Sequence, residues 1–277
     1  MILARLNALG VLILNQIEGF GAFVRFAASG AALTVAAPMR WGRPHLIVPQ
    51  FFEVGTRSIP VVMLVGAFVG MVLAVEMYGQ FAALGQESRI GGVINISVVK
   101  QIGPVLAAVM IAGRVGGSFS AQLGTMRVTE QIDAMRAMGV DPIVHLVVPR
   151  VVACLLMVPL LTVFSNMLGI VGGYLVTVYG FNVNAREYWE FSARFVDAWD
   201  LFTGLFKATI FGLCIGLIST YKGFTCQPGA AGVGRATTDA FVISFIAIII
   251  ANFFLATFLK DLGSALFNST GAATLAG

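Results

Sequence analysis

Long apolar stretches separated by short polar segments form the main pattern of this chain. Each has about 20 residues or more, the length that an α-helix needs to cross a hydrocarbon layer of about 30 Å. Backbone groups in lipid must bond within their own segment, and the alternating pattern of barrel strands is not seen, so the pattern predicts helices. We expect five spans, at about residues 59–78, 93–113, 150–179, 201–221 and 240–259.

The first 50 residues follow a different pattern, with apolar side chains three or four positions apart. This spacing predicts an amphipathic helix lying in the membrane surface. Its apolar side would comprise Ile2, Leu6, Leu9, Ile13, Ile17, Phe20 and Val24. A cleaved signal peptide is the alternative, because Arg5 precedes an apolar run, but Asn7 and Asn15 interrupt that run. We divide the chain into an interfacial region (1–50), a membrane domain (51–265) and a C-terminal tail (266–277).

Composition supports an all-α polytopic membrane protein. Hydrophobic residues make up 58% of the chain and charged residues 11%, with a mean hydropathy of +0.92, outside the range of soluble domains. Small residues are spaced to let helices approach closely, mostly within one monomer. They are Gly66 with Gly70, Gly113 with Gly116 and Gly117, Gly169 with Gly172 and Gly173, and Gly212 with Gly216.

Basic residues concentrate in alternate connections between the expected spans. They precede the first span, lie between the second and third, and lie between the fourth and fifth: Arg5, Arg25, Arg40, Arg43, Arg57, Arg114, Arg127, Arg136, Arg150, Lys222 and Arg235. Short connections with this bias face the cytoplasm, so the N-terminus is expected inside and the C-terminus outside. The net charge of +4 then follows from topology, and no nucleic-acid partner is indicated.

Signatures of catalysis or metal binding are not recognisable in the sequence. None of the four lysines belongs to a phosphate-binding G-x-x-x-x-G-K-[ST] loop, so ATP-driven work would need a partner. The histidines, His45 and His145, lack ligand neighbours, and the cysteines, Cys154, Cys214 and Cys226, lack close spacing. The GAAGVG run at 229–234 is expected to be a tight turn before the fifth span, with Thr237, Thr238 or Asp239 capping that helix.

A short charged segment, RVTEQIDAMRAMGVDP from Arg127 to Pro142, separates the second span from the third. Thr129 as N-cap and Gly139 as stop predict a helix of about ten residues, with Glu130 and Asp133 near its positive end.

One side of this helix would gather Ile132, Met135 and Met138, which makes it amphipathic. Such a helix, tied to two spans, is suited to carry motion between a soluble motor and the membrane domain. The alternative is an ordinary connecting helix that rests on lipid headgroups.

Ionisable or polar residues within the spans are costly and are therefore candidates for function. Lys100 with Gln101, Glu76 and Lys207 qualify. Both lysines lie about two turns from the same end of their spans and are candidates to meet a lipid phosphate. Snorkelling of each ammonium to the interface is the alternative.

Three long runs resemble the MlaE-type (YrbE) permeases, the membrane subunits of bacterial ABC systems that move phospholipids between the two envelope membranes. They are GPVLAAVMIAGRVGGSFSAQLGTMRVTEQIDAMRAMGVDP (103–142), PRVVACLLMVPLLT (149–162) and YKGFTCQPGAAGVGRATTDAFV (221–242). The similarity covers about residues 45–260. Many members carry an Arg-Glu pair where this chain has Lys100-Gln101, so the cation is kept and the carboxylate becomes an amide.

The resemblance implies a homodimeric permease in the bacterial inner membrane, with no enzymatic activity or cofactor of its own. ATP and Mg would be held by a separate cytoplasmic ABC ATPase, which a coupling helix would contact through Glu130, Asp133, Ala134, Met138 and Gly139. A small STAS-domain protein and a periplasmic hexamer of MCE-domain subunits would complete the assembly. Phospholipid would occupy the space between the two permeases.

Two other classes of function are weighed against this one. A secondary transporter working alone would call for inverted repeats and buried acids near the midplane, and we find no convincing repeat. A membrane-embedded lipid enzyme would call for a cluster of His, Asp or Cys residues on one membrane face, and none is evident.

Overall fold

The computed structural model describes residues 17–19, 21–32 and 42–274, with side chains as far as residue 265. These parts are helical and contain no strand, which confirms the all-α prediction. The longer helices, in chain order, are α1 (21–32), α2 (Pro44–Phe51), α3 (Ile59–Ala83), α4 (Ile90–Ser97), α5 (Gly103–Ile111), α6 (Gly117–Val128), α7 (Gln131–Ala137), α8 (Val148–Leu175), α9 (Ala185–Phe195), α10 (Ala198–Phe224) and α11 (Ala230–Thr274).

Within the described residues, five helical runs are long and apolar enough to cross a membrane, as predicted. They are Pro44–Ala83, Glu87–Val128, Ile143–Gly180, Ala198–Phe224 and Ala230–Ala265. Each run is longer than the expected span, and the first and third are extended at their N-terminal ends through residues 44–58 and 143–149. At the N-terminus, where an interfacial helix is expected, the structure describes helix over 17–19 and 21–32, and residues 1–16, 20 and 33–41 lie outside the described chain.

Several spans contain a wider, π-helical turn instead of regular α-helix. These turns are Phe52–Thr56, Val98–Ile102, Ala112–Gly116, Ile143–Val147 and Val176–Gly180. π turns inside helices frequently mark functional positions. The second span has two of them, and they carry Lys100 with Gln101 and Arg114.

The third span is the centre of the molecule, and α3 and α10 pack against its long helix, α8. Glycines make these contacts close, as their spacing predicted. A Cβ placed on Gly70 would overlap the carbonyl of Gly169, and one on Gly212 would meet the carbonyl of Cys154. A Cβ placed on Gly117, in contrast, would meet no atom within 4 Å.

Consecutive spans cross in opposite directions, so the connections divide between two faces of the bundle. One face, which we call the α7 face, holds α7 and the connection between α10 and α11. The opposite α9 face holds α9, which is fixed to α4 because the Asn95 amide donates to Ser192 at 2.8 Å and the Tyr188 hydroxyl donates to Asn95 at 3.0 Å. Burial raises the pKa of Tyr188 to about 12, so this donor keeps its proton at neutral pH.

The expected turn and cap before the fifth span were wrong. Gly229 has a φ of +90°, and α11 begins at the next residue instead of near Thr237. This helical start depends on a glycine at position 232. Gly232 packs directly on the backbone of Gln227, where no side chain fits. The hydroxyls of Thr237 and Thr238 instead donate to the carbonyl of Gly234 inside the helix.

The contact between α3 and α8 provides a test of this packing. We expect Gly70→Val to destabilise the protein by about 3 kcal/mol or more, because the new side chain meets backbone that cannot move aside. The melting temperature in detergent measures the effect. Gly79→Val is the matched control on the same helix, since nothing lies within 4 Å of Gly79. An equal loss in both variants would contradict the packing described here.

Candidate functional site

The short helix α7 differs from its predicted form in its start and length. It covers Gln131–Ala137, seven residues instead of about ten. Thr129 does not cap it, since the Thr129 hydroxyl donates to the carbonyl of Thr125 at 2.9 Å. Glu130 instead adopts a left-handed conformation with φ +59°, which turns the chain sharply between α6 and α7. Gly139, with φ +74°, ends the helix as predicted.

Only part of the predicted apolar side of α7 is buried. Ile132 is fully buried and Met135 is half-buried, whereas Met138, on the same predicted side, is 72% exposed. Because Ile132 anchors the helix, the opposite surface points away from the bundle. We use the name outer α7 surface for four exposed residues of this connection, Glu130, Ala134, Met138 and Gly139.

Asp133, which was predicted to contact a partner, is bound within the chain. Its two carboxylate oxygens accept hydrogen bonds from Arg127 at 2.8 and 2.6 Å, and one also accepts from Arg136 at 2.9 Å. Arg127 belongs to the last turn of α6, so the ion pair holds α7 against the helix before it. Asp133 therefore positions the outer α7 surface.

Arg150 braces the other side of this connection. Its buried guanidinium donates to the carbonyl of Leu146 at 2.7 Å and to the side chain of Gln122 at 3.1 Å, and lies 5.4 Å from the ring centre of Phe119. The side chain thereby joins α6 to the start of α8. In the sequence, Arg150 served only as an indicator of topology. Its position at the start of an apolar helix was the signal that it could have a structural role.

A second group of polar residues lies within the membrane near the α9 face. Lys207 is 1% exposed, and its ammonium donates to the Gln101 amide oxygen at 2.6 Å and to the Lys100 carbonyl at 3.4 Å. The ammonium of Lys100 is paired with Asp200 at 2.7 Å. We call Lys100, Gln101, Asp200 and Lys207 the buried lysine cluster. Snorkelling does not describe Lys207, because its ammonium is enclosed.

Asp200 was the member of the buried lysine cluster that sequence analysis missed. It lies in the first turn of α10, where its carboxylate also accepts the backbone N–H of Asp197 at 3.2 Å. The signal was its distance of two helical turns from Lys207, which places both on one side of α10. The cluster contains two cations and one carboxylate, so it carries one positive charge in excess when all three groups are ionised.

Glu76, the remaining predicted residue, is not part of this cluster. It is exposed on α3 and makes no hydrogen bond or ion pair with any residue that the structure describes. The residues of the buried lysine cluster therefore belong to the second and fourth spans, and none belongs to the first.

An apolar groove of about 310 Å³ runs along the first span close to the cluster. Its lining comes from α3 and from the π turn that carries Lys100: Leu64, Val65, Phe68, Val69, Val72, Leu73 and Ile102. It contains no polar surface. The described chain shows no group of three His, Cys, Asp or Glu residues placed to hold a metal ion.

Comparison with known proteins gives one consistent result. A family model described as Permease MlaE matches residues 47–258. The chain is 39% identical over 253 residues to a probable ABC transporter permease protein of Rickettsia felis, covering 91% of this chain and 96% of the relative. It is 29% identical over 266 residues to the intermembrane phospholipid transport system permease protein MlaE of Haemophilus influenzae, covering 95% and 100%. It is 37% identical over 211 residues to the chloroplastic protein TRIGALACTOSYLDIACYLGLYCEROL 1 of Arabidopsis thaliana, covering 76% and 60%.

The bracing of α7 by Asp133 predicts a local change in dynamics. Asp133→Asn removes the negative charge that pairs with two arginines. Exposed ion pairs contribute on the order of 1 kcal/mol to stability, so we expect the rate of amide hydrogen exchange in 131–137 to rise several-fold. Glu130→Gln is the control, because Glu130 forms no ion pair within the described residues. Similar exchange in wild type and Asp133→Asn would show that the ion pairs do not hold α7.

Proposed function

The chain belongs to the MlaE family of permeases, and from this premise we propose that it moves phospholipids between the inner and outer membranes of a bacterium, driven by a separate ABC ATPase. It is a multi-pass permease subunit of an ABC transporter and does not itself hydrolyse ATP. The Haemophilus influenzae relative is an intermembrane phospholipid transport system permease protein, which supports the choice of cargo.

The excess positive charge of the buried lysine cluster is the observation that carries the proposal. Lys100 and Lys207 face one carboxylate, Asp200, because position 101 is an amide. An unbalanced charge within the membrane is costly, so a ligand that brings a negative charge is favoured there. The phosphate of a phospholipid is such a ligand. Lys100 is the group that it reaches, since the Lys100 side chain is 41% exposed.

The neighbouring groove matches the other part of the same molecule. Its lining is entirely apolar, and Ile102 belongs to both the groove and the π turn of Lys100. A phospholipid with its phosphate at Lys100 would lay an acyl chain along α3, where the apolar lining offers van der Waals contact and no polar group. A cation beside an apolar groove favours the binding of an amphipathic lipid over that of a soluble anion.

Coupling to the ATPase is assigned to the outer α7 surface. Glu130, Ala134, Met138 and Gly139 are exposed there, while Asp133 and Arg150 hold the surrounding connection to α6 and α8. A push on α7 would therefore reach the second and third spans together. ATP and Mg belong to the partner, and the permease contributes only the contact.

The remaining assembly follows from the family relationship. We propose a homodimer in the bacterial inner membrane, with lipid between the two copies, the α7 face and the N-terminus in the cytoplasm, a STAS-domain protein on that side and an MCE-domain hexamer on the periplasmic side. This orientation is supported by the basic residues around α7, Arg127 and Arg136, and by Lys222 and Arg235 on either side of the turn before α11.

The ATPase contact is tested by enlarging the outer α7 surface. We expect Ala134→Arg to reduce co-purification of the ATPase from the native membrane at least tenfold, because a bulky cation on the exposed outer α7 surface would obstruct the contact. Ala193→Arg is the matched control, an exposed alanine on α9 at the opposite face. If wild type purifies without an ATPase and still transports lipid, a stand-alone secondary transporter takes the place of this proposal.

The lipid site is tested with two variants that break the same ion pair. Lys100→Gln removes a cation, so we expect bound phospholipid to fall several-fold; Asp200→Asn removes the competing carboxylate, so bound phospholipid is expected to stay or rise. Mass spectrometry of lipid retained by the purified protein measures both. Equal loss in the two variants would mean that the pair is structural, and the lipid assignment would fail.

A further inference from the structure

A polar pocket of about 370 Å³ lies on the α7 face, far along the chain from the buried lysine cluster. It opens between the end of α10 and the first turns of α11. Its lining includes the polar side chains of Lys222, Thr225, Gln227, Arg235 and Asp239. The proposed transport path on the α9 face uses none of these residues.

The walls of this pocket are fixed by close packing. Gly229 has a φ of +90°, which turns the chain directly into α11, and Gly232 lies on the backbone of Gln227. Gly124 of α6 leaves room for Cys226 and Val233, so the α10–α11 turn rests against the helix before α7. The pocket is therefore held in place by three helices.

The charges around the pocket are poorly balanced. Lys222 and Asp239 are 3.4 Å apart, while the other ion pairs of the described residues are between 2.6 and 2.9 Å. Arg235 is exposed and forms no ion pair or side-chain hydrogen bond with any described residue. Two cations therefore face one distant carboxylate, which leaves one positive charge available for an anion.

Aromatic contacts place this pocket near the membrane surface. Phe23 and Phe26 of α1 meet the ring of Tyr221 edge-on at 5.3 and 5.4 Å, and Phe26 also lies 5.7 Å from Phe224. Tyr221 and Phe224 flank Lys222 in the chain. Aromatic side chains and amphipathic helices collect at the level of the lipid headgroups, so Lys222 lies at that level.

We propose that this pocket binds a phosphate group presented by a phospholipid of the leaflet on the α7 face. Lys222 and Arg235 bind the phosphate oxygens, and Arg235 has the planar fork of donors that suits them. The lipid joins α10 and α11 beside α6, the helix that leads into α7. The site is independent of the transport proposal, because it lies on the other face and needs neither the ATPase nor Lys100.

The test measures lipid binding by the delipidated full-length protein in neutral detergent. All proteins carry Lys100→Gln, so that the buried lysine cluster does not contribute. Three probes separate the sources of phosphate: dioleoylphosphatidylglycerol, dioleoylglycerol without phosphate, and soluble glycerol phosphate. We expect the phosphatidylglycerol to bind, and binding to weaken about 30-fold in Lys222→Gln/Arg235→Gln, as two surface charges imply. Binding should fall as salt rises.

Two further variants keep the result decisive. Asp239→Asn removes the carboxylate that competes for Lys222, so affinity for phosphatidylglycerol is expected to rise several-fold, which a damaged fold would not produce. Arg43→Gln/Arg57→Gln removes the same charge on the same face outside the pocket, and binding is expected to stay.

Several results would overturn the proposal. Equal weakening by the two double variants would show a general charge effect, and equal binding of dioleoylglycerol would show that phosphate is not recognised. Glycerol phosphate binding as tightly as the lipid would assign the pocket to a soluble phosphate. Loss of the ATPase from Lys222→Gln/Arg235→Gln with unchanged lipid affinity would make the pocket a protein contact.

Discussion

Close backbone contact around α8 is the constraint on which the rest of the structure depends. Lipid offers no hydrophobic force that drives helices together, so association relies on contact at short range. Gly70 and Gly212 supply that contact on two sides of the same helix. With α8 fixed between α3 and α10, the second span is held in the remaining space, and its π turn brings Gln101 to Lys207.

Much of this arrangement could be predicted from the chain, for clear physical reasons. Spans follow from the length of apolar runs, and Gly139 ended α7 because glycine adopts a positive φ without strain. The start of α7 was missed because Glu130, with no sequence signal, takes the left-handed conformation. Asp200 was missed because its partner Lys100 is a hundred residues away, and only packing brings them together.

The same limit explains the role of Asp133. An exposed acid on a short helix suggests a partner contact, but in the structure Asp133 forms ion pairs with two arginines of its own chain. Arg150 and Gln122 are comparable, being 28 residues apart and joined by the return of the chain through α7. An acid that is paired within its own chain and an acid that is unpaired look alike in sequence. Only the folded structure separates the two.

The π turn at Val98–Ile102 has a consequence for how such a site arises. A π turn accommodates one residue more than the regular helix around it, and each residue advances a helix by about 100°. Removing one residue would restore ordinary hydrogen bonding while rotating everything on one side of the turn by that angle. Lys100 would then lose its register with α10. Insertion of one residue into a regular helix can thus turn the polar residues beside it toward a partner helix inside the bilayer. Deletion of one residue turns them away again.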